Sequence, residues 1–104
     1  MVRVAKVFVN AVFAGLLTEY ERNKHYIFEY SVEYSGQAVS LTMPLAKKKY
    51  EYATFPPFFD GLLPEGSQLE ALLRLAKLDR DDNFGQLLMV GADLVGNVTL
   101  EVMT

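Results

Sequence analysis

Few side chains in this 104-residue sequence could carry chemistry, and each can be tested against the spacing that its chemistry demands. The run Asp79-Arg80-Asp81-Asp82-Asn83 has the D-x-D-x-N opening of a calcium loop. Such a loop needs glycine at its sixth position for a sharp turn and a bidentate glutamate at its twelfth. Phe84 and Val90 stand there instead, so the aspartates read as the first turn of a helix, where carboxylates face the positive end of the dipole. Gly91 and Gly96 have the spacing of a phosphate loop, but Asn97-Val98 replaces the Lys-Ser/Thr that would reach phosphate and magnesium. Val4-Ala5-Lys6 has the form of a nucleotide-gripping strand lysine. No glycine-rich loop precedes it, and neither His-Arg-Asp nor Asp-Phe-Gly follows. His25 is the single histidine and cysteine is absent, so a nucleophile would lack a base. Ser67 follows a glycine but fits a helix cap. No catalytic, metal-ligating or cofactor-binding residue is expected.

Composition points the same way. A net charge of −3 and a pI near 5.0 argue against direct nucleic-acid binding, which needs clustered Lys and Arg. The one basic run, Lys47-Lys48-Lys49, lies beside Pro44 and reads as a solvated loop. Absence of cysteine fits a reducing cytoplasm. The N-terminus lacks the charged and apolar regions of a signal peptide, and no apolar run approaches the ~20 residues that span a bilayer. Hydrophobic residues make up 51% of the chain, enough to close the core of one domain over residues 1–104.

The elements that must position any site fall into an extended half and a helical half. Residues 2–9 and 11–18, rich in Val, Phe and Leu, predict two strands joined by a tight turn. After a turn at Arg22-Asn23-Lys24, the alternation from Tyr26 to Tyr34 predicts a third strand, with Tyr26, Phe28, Tyr30, Val32 and Tyr34 on one face. Val39 to Met43 predicts a fourth, with Val39, Leu41 and Met43 on one side, ended by Pro44. Pro56-Pro57 opens a helix of about two turns carrying Phe58, Phe59, Leu62 and Leu63, limited by Gly61 and Pro64. Ser67-Gln68-Leu69-Glu70 matches the S-x-x-E capping box, followed by Leu69, Leu72, Leu73 and Ala76 in one apolar stripe. A third helix starts in the acidic run and presents Phe84, Leu87 and Leu88 to the core, and Val98, Leu100 and Val102 alternate as a closing strand. The expected class is α+β: a small, mainly antiparallel sheet covered by two or three short helices.

The segment least explained by packing is Pro56 to Ser67. Its aromatics suit a core, and Pro and Gly suit a bend. The stiff turn Pro64-Glu65-Gly66 between two short helices would also make a good docking corner. Pro57-Phe58-Phe59-Asp60-Gly61-Leu62-Leu63-Pro64-Glu65-Gly66 resembles the Phe-Phe-x-x-Leu-Leu-Pro-Glu-Gly motif of the HipA family of bacterial serine/threonine kinase toxins. Asn10 to Leu17 resembles that family's opening hairpin, and Ser40-Leu41-Thr42-Met43-Pro44-Leu45 its Ser-Leu-x-x-Pro-Leu element. Asp82-Asn83-Phe84 and Gly91-Ala92-Asp93-Leu94-Val95-Gly96 resemble its Asp-x-Phe and Gly-x-Asp-x-x-Gly elements. The departures are Asn10-Ala11 for the usual Asn-Gly, and Leu94 where cysteine is common.

All matched elements belong to the N-terminal subdomain of HipA proteins, so the kinase's own ATP-binding and catalytic residues have no counterpart here. The resemblance implies the HipS-like small component of a split, HipBST-type toxin–antitoxin system. There the small protein binds a shortened HipA-like (HipT-type) kinase and acts as its antitoxin, alongside a helix-turn-helix DNA-binding protein. The kinase-binding residues expected are Phe58, Phe59, Pro64, Glu65, Gly66, Ser67 and Gln68. The alternatives are a scaffold subunit that stabilises or localises the kinase, and the N-terminal piece of an intact HipA kinase.

Overall fold

Alternating aromatic and β-branched residues form strands where their apolar face can be covered. In this computed structural model five such strands make one antiparallel sheet of order β4-β3-β2-β1-β5. They are β1 (Arg3–Val9), β2 (Val12–Glu21), β3 (His25–Tyr30), β4 (Lys49–Tyr52) and β5 (Val98–Val102). Three helices, α1 (Pro57–Asp60), α2 (Gly66–Ala76) and α3 (Asn83–Val90), lie between β4 and β5 in the chain, and one 3-10 turn (Gly91–Asp93) follows α3. The class is α+β, as expected. The structure describes residues 2–94 and 96–103. Met1, Thr104 and Val95, the last within the Gly-x-Asp-x-x-Gly element, lie outside them.

The sheet turns one face to the core. Ala5, Val7 and Val9 of β1, Leu17 of β2, Tyr26, Phe28 and Tyr30 of β3, and Leu100 of β5 are buried with Phe59, Phe84 and Leu87 from the helices. At the β1–β2 turn Asn10 and Ala11 both take positive φ (51° and 66°), the conformation that joins strands without untwisting them. Ala11 carries a Cβ there, which costs about 1 kcal/mol. Gly91 lets α3 approach β5: a Cβ at that position would lie 2.8 Å from the Leu100 carbonyl oxygen.

Three expectations about the extended half are corrected. The third strand ends at Tyr30, because Ser31 starts a turn: Tyr34 N–H donates to the Ser31 carbonyl (3.1 Å). Tyr34 is still buried, whereas Val32 is thrown into solvent. Val39 to Met43 is a turn. Met43 N–H donates to the Ser40 carbonyl (3.0 Å) and Thr42 N–H to Ser40 Oγ (3.2 Å), local bonds that compete with a ladder. Val39 and Met43 are buried as expected, but the reversal leaves Leu41 fully exposed. The strand that does pair with β3 is β4, whose Lys49 comes from the run read as loop. Its Tyr50 and Tyr52 are half-buried while Lys49 and Glu51 face solvent. The Tyr30 hydroxyl holds the long excursion in place, donating to the Met43 carbonyl (2.5 Å) and accepting from Val39 N–H (2.9 Å).

β2 also runs past the expected Thr18 to Glu21, and this polar extension contains Glu19, only 1% exposed. Glu19 sits opposite Arg3 in the β1–β2 register. Arg3 donates from Nε (2.8 Å) and Nη2 (2.6 Å) to Glu19 Oε1, and from Nη2 to Asp82 Oδ1 (2.7 Å). Asp82 is the N-cap of α3 and accepts from Gly85 N–H (3.1 Å). Tyr26 donates its hydroxyl to the other Glu19 oxygen (2.9 Å), and the Arg3 guanidinium lies 5.2 Å from the Phe84 ring centroid. One arginine therefore joins β1, β2 and the start of α3. Burial and the Glu19 carboxylate push the Tyr26 phenol up to about 12, so it stays a donor at all ordinary pH.

Breaking a buried pair strands its partners. Arg3→Leu leaves two enclosed carboxylates and is expected to lower unfolding free energy by about 3 kcal/mol or more, measured by urea denaturation. Burial pushes the Asp82 carboxyl up, but Arg3 and the Gly85 N–H more than offset it, and Asp82 titrates below the ordinary carboxylate range. A depressed folded-state value stabilises the fold above the unfolded value and is lost as pH falls through the folded one. Stability is thus expected to drop below about pH 4, the ordinary aspartate value. Asp82→Asn should flatten that acid limb in a pH series of thermal melts.

Candidate functional site

The Pro56–Gln68 segment makes a tight corner. Pro57 starts α1, where its missing N–H costs nothing, and Asp60 N–H and Gly61 N–H donate to the Pro56 and Pro57 carbonyls (3.0 and 3.1 Å). α1 closes after a single turn, shorter than the two expected, and tighter turns continue it: Leu62 N–H reaches the Phe59 carbonyl and Leu63 N–H that of Asp60. Glu65 is extended (φ −131°, ψ 166°), and Gly66 starts α2 at φ 59°, with open space within 4 Å of where a Cβ would lie. Room is therefore not what the position demands; only a glycine makes that backbone reversal without strain.

The expected capping box is not formed. Glu65 is the N-cap residue, no side chain caps the helix, and Ser67 already lies inside the first turn. Glu70 instead accepts both contacts from Arg80 Nη2, tying α2 to the loop before α3. The acidic run is accounted for in the same way. Asp82 caps α3, and Asp79 and Asp81 accept from Arg22 across the surface (3.2 and 3.4 Å). His25, at the start of β3, pairs through Nε2 with Glu51 (2.6 Å) on the sheet surface.

Of the expected docking residues, Phe59 is a core side chain, 0% exposed, packed on Phe28 at 6.0 Å between ring centroids. Phe58 stacks edge-on against it at 5.2 Å and is half-buried, as is Pro64. Glu65, Gly66, Ser67 and Gln68 are exposed. Phe59 therefore supports the corner from beneath, Phe58 and Pro64 are half-covered, and Glu65 to Gln68 lie at the surface. Beside them an open groove of about 360 Å³ runs between the corner and the end of α3, lined by Leu62, Leu63, Pro64, Gln68, Val90 and Leu94, with Asp93 at its side.

The larger surprise is α2. It has the full apolar stripe that the sequence predicts, yet none of its residues is buried. Leu69, Leu72, Leu73 and Ala76 are half-buried, Leu75 is 83% exposed, and Met89 on α3 is 56% exposed. An amphipathic helix of a self-sufficient domain buries its stripe. Sequence reading missed these leucines as surface residues because the same periodicity describes a core helix. The only hint is Leu75, an apolar residue outside the stripe.

A family model described as the HipA N-terminal domain matches residues 5–101. The chain belongs to the HipA N-terminal domain family. A solved structure described as the N-terminal domain of HipA toxin superposes with a TM-score of 0.79 at 30% identity, covering 100% of this chain and 95% of that one. An uncharacterized protein of Haemophilus influenzae is 34% identical over 101 residues, 97% of this chain and 93% of that protein. In this HipA N-terminal domain Phe59 of the Phe-Phe element lies beneath the corner, Phe58 is half-buried, and the Pro-Glu-Gly element forms its tip. Among the described residues no helix is long and apolar enough to cross a membrane.

Two substitutions separate the core part of the corner from its surface part. Phe59→Ala is expected to cost about 3–5 kcal/mol by cavity formation. Ser67→Ala, removing a hydroxyl that makes no cap bond, should change stability by less than about 0.5 kcal/mol. Parallel urea melts measure both.

Proposed function

We propose that this chain is the antitoxin of a tripartite system and that it binds and inhibits a HipA-type serine/threonine kinase in the cytoplasm. The observation that carries this reading is α2, whose apolar stripe has no full cover among the described residues. Its 11 residues span about 16 Å at 1.5 Å per residue. The corner residues Phe58, Pro64, Glu65, Gly66, Ser67 and Gln68 precede or open this helix, and Leu75 and Met89 add exposed apolar surface to α2 and α3. A specific interface needs roughly 800 Å² from each partner, with apolar anchors at its centre. Phe59 acts from within by holding Phe58 and the corner in place. Family membership supports the partner class, since a domain that belongs beside a kinase can dock on one from a separate chain.

In this reading the chain works as one folded unit and uses no cofactor, and a helix-turn-helix DNA-binding protein joins the same complex. The solved relative is, by its description, part of a toxin, and this favours a second reading in which the same patch packs within an intact kinase. A kinase that lacks this domain distinguishes the cases. Mixed with such a kinase, the chain should co-elute on gel filtration and slow autophosphorylation. Leu72→Asp with Leu75→Asp should abolish both effects while leaving the circular dichroism spectrum unchanged. A complex with an undiminished rate would make the chain a scaffold, and no complex at all would end both trans-acting readings.

A further inference from the structure

The helices meet one face of the sheet, where Phe59 packs near Phe28 and Phe84 near Tyr26. Alternate residues of each strand point to the opposite face. There Phe13 is 39% exposed and packs edge-on against Phe8, at 5.9 Å between ring centroids. Val4, Leu16, Thr18 and Ile27 share that face and are only half-buried. An apolar, β-branched sheet face of this kind is usually covered by a second layer.

The strand registers set the charges of this face in one row. Lys49 on β4 lies opposite Glu29 on β3, Glu29 opposite Leu16 on β2, Leu16 opposite Lys6 on β1, and Lys6 opposite Glu101 on β5. From edge to edge the row reads plus, minus, apolar, plus, minus. Turned end for end about Leu16, it reads minus, plus, apolar, minus, plus. Each charge then falls on its opposite. Among the described residues none of the four charged side chains belongs to an ion pair within the molecule.

We propose that two copies of this chain stack through this face, on a twofold axis that runs along β2 through Leu16. That axis exchanges β1 with β3 and β5 with β4. Lys6 meets the partner's Glu29 and Glu101 meets the partner's Lys49, each contact occurring twice, while Leu16 meets its own copy. The neighbouring row agrees. Val4, Thr18 and Ile27 lie side by side on β1, β2 and β3, so Val4 meets the partner's Ile27. A twofold running across the strands would set Lys6 on Lys6 and Glu29 on Glu29, and like charges reject that arrangement.

Stacked sheets cross at about 30°, which displaces charges two strand spacings from the axis by about 5 Å, within reach of Lys and Glu side chains. Five strands of this length offer roughly 500 Å² per copy, the small end of specific interfaces, so the dimer is a concentration-dependent one. The inference rests on the sheet and not on α2, so it stands or falls apart from the kinase reading.

Sedimentation velocity of the purified chain over a concentration series should show reversible exchange between monomer and dimer. Lys6→Glu and Glu29→Lys should each weaken the dimer about tenfold or more, because each sets like charges together twice. Leu16→Glu, which places two like charges on the axis, should weaken it as well. Mixing the Lys6→Glu protein with the Glu29→Lys protein should restore dimers, since every cross-pair is then opposite in sign. Charge pairing confined to one chain predicts no recovery on mixing. A chain that stays monomeric throughout, a dimer indifferent to the single changes, no recovery in the mixture, or a dimer lost in Leu72→Asp on α2 would each overturn the proposal.

Discussion

A guanidinium placed against a packed face must be met by charge on every side that water has left, and Arg3 is met by Glu19 and Asp82. Neither carboxylate could be enclosed without it. The three side chains come from β1, β2 and the N-cap of α3, so a single ionic cluster sets which end of the helix lies over which pair of strands. Glu19 also fixes the Tyr26 ring, which touches both Phe55 and Phe84. The aromatic layer of the core is therefore aligned from one polar point. Replacing the whole cluster with apolar residues could raise stability, because buried ion pairs gain little over well-packed hydrocarbon. Its contribution here is registry: it specifies one placement of α3 among those a greasy contact would tolerate.

Around that anchor the molecule is uneven. The sheet and α3 share a closed aromatic core, with Phe28, Phe59 and Phe84 fully enclosed. α2 lies outside it, connected through half-covered leucines and through Glu70 and Arg80 at the surface. The corner between α1 and α2 is held by Phe59 below and by Pro57 with its fixed φ at the start of α1, and Gly66 permits the positive φ that turns the chain into α2. A tight corner next to a half-covered apolar helix is an arrangement suited to recognition, with geometry from the corner and area from the helix.

Much of this was legible in the residues. The β1–β2 hairpin, the turn at Asn23, the start of α3 at the acidic run and β5 follow from local pattern alone, because each is decided by neighbours in sequence. What failed was decided by local reversals that the hydrophobic pattern does not register and, at Glu19, by a partner distant in sequence. Alternation through Val32 predicts a strand only while the chain has a partner to pair with, and Ser31 turns it away first. Leu41 has strand periodicity but sits on a reversal organised by Ser40. Glu19 looks like solvent-facing sequence until Arg3, 16 residues earlier, is placed beside it. The capping box at Ser67 had the right letters too late, since the positive φ of Gly66 starts the helix first. At the corner, sequence could not separate Phe58 from Phe59, adjacent rings that differ only in which side of one helical turn they occupy.

The uneven attachment of α2 has a dynamic side. Local opening costs only the contacts it breaks, and a helix with no enclosed side chain breaks few. α2 is then the first cooperative unit to fray, exchanging its amide protons through excursions that leave the strands of the sheet protected. A protein seated on it would act as the missing part of a hydrophobic layer and would couple the folding of this helix to its own presence.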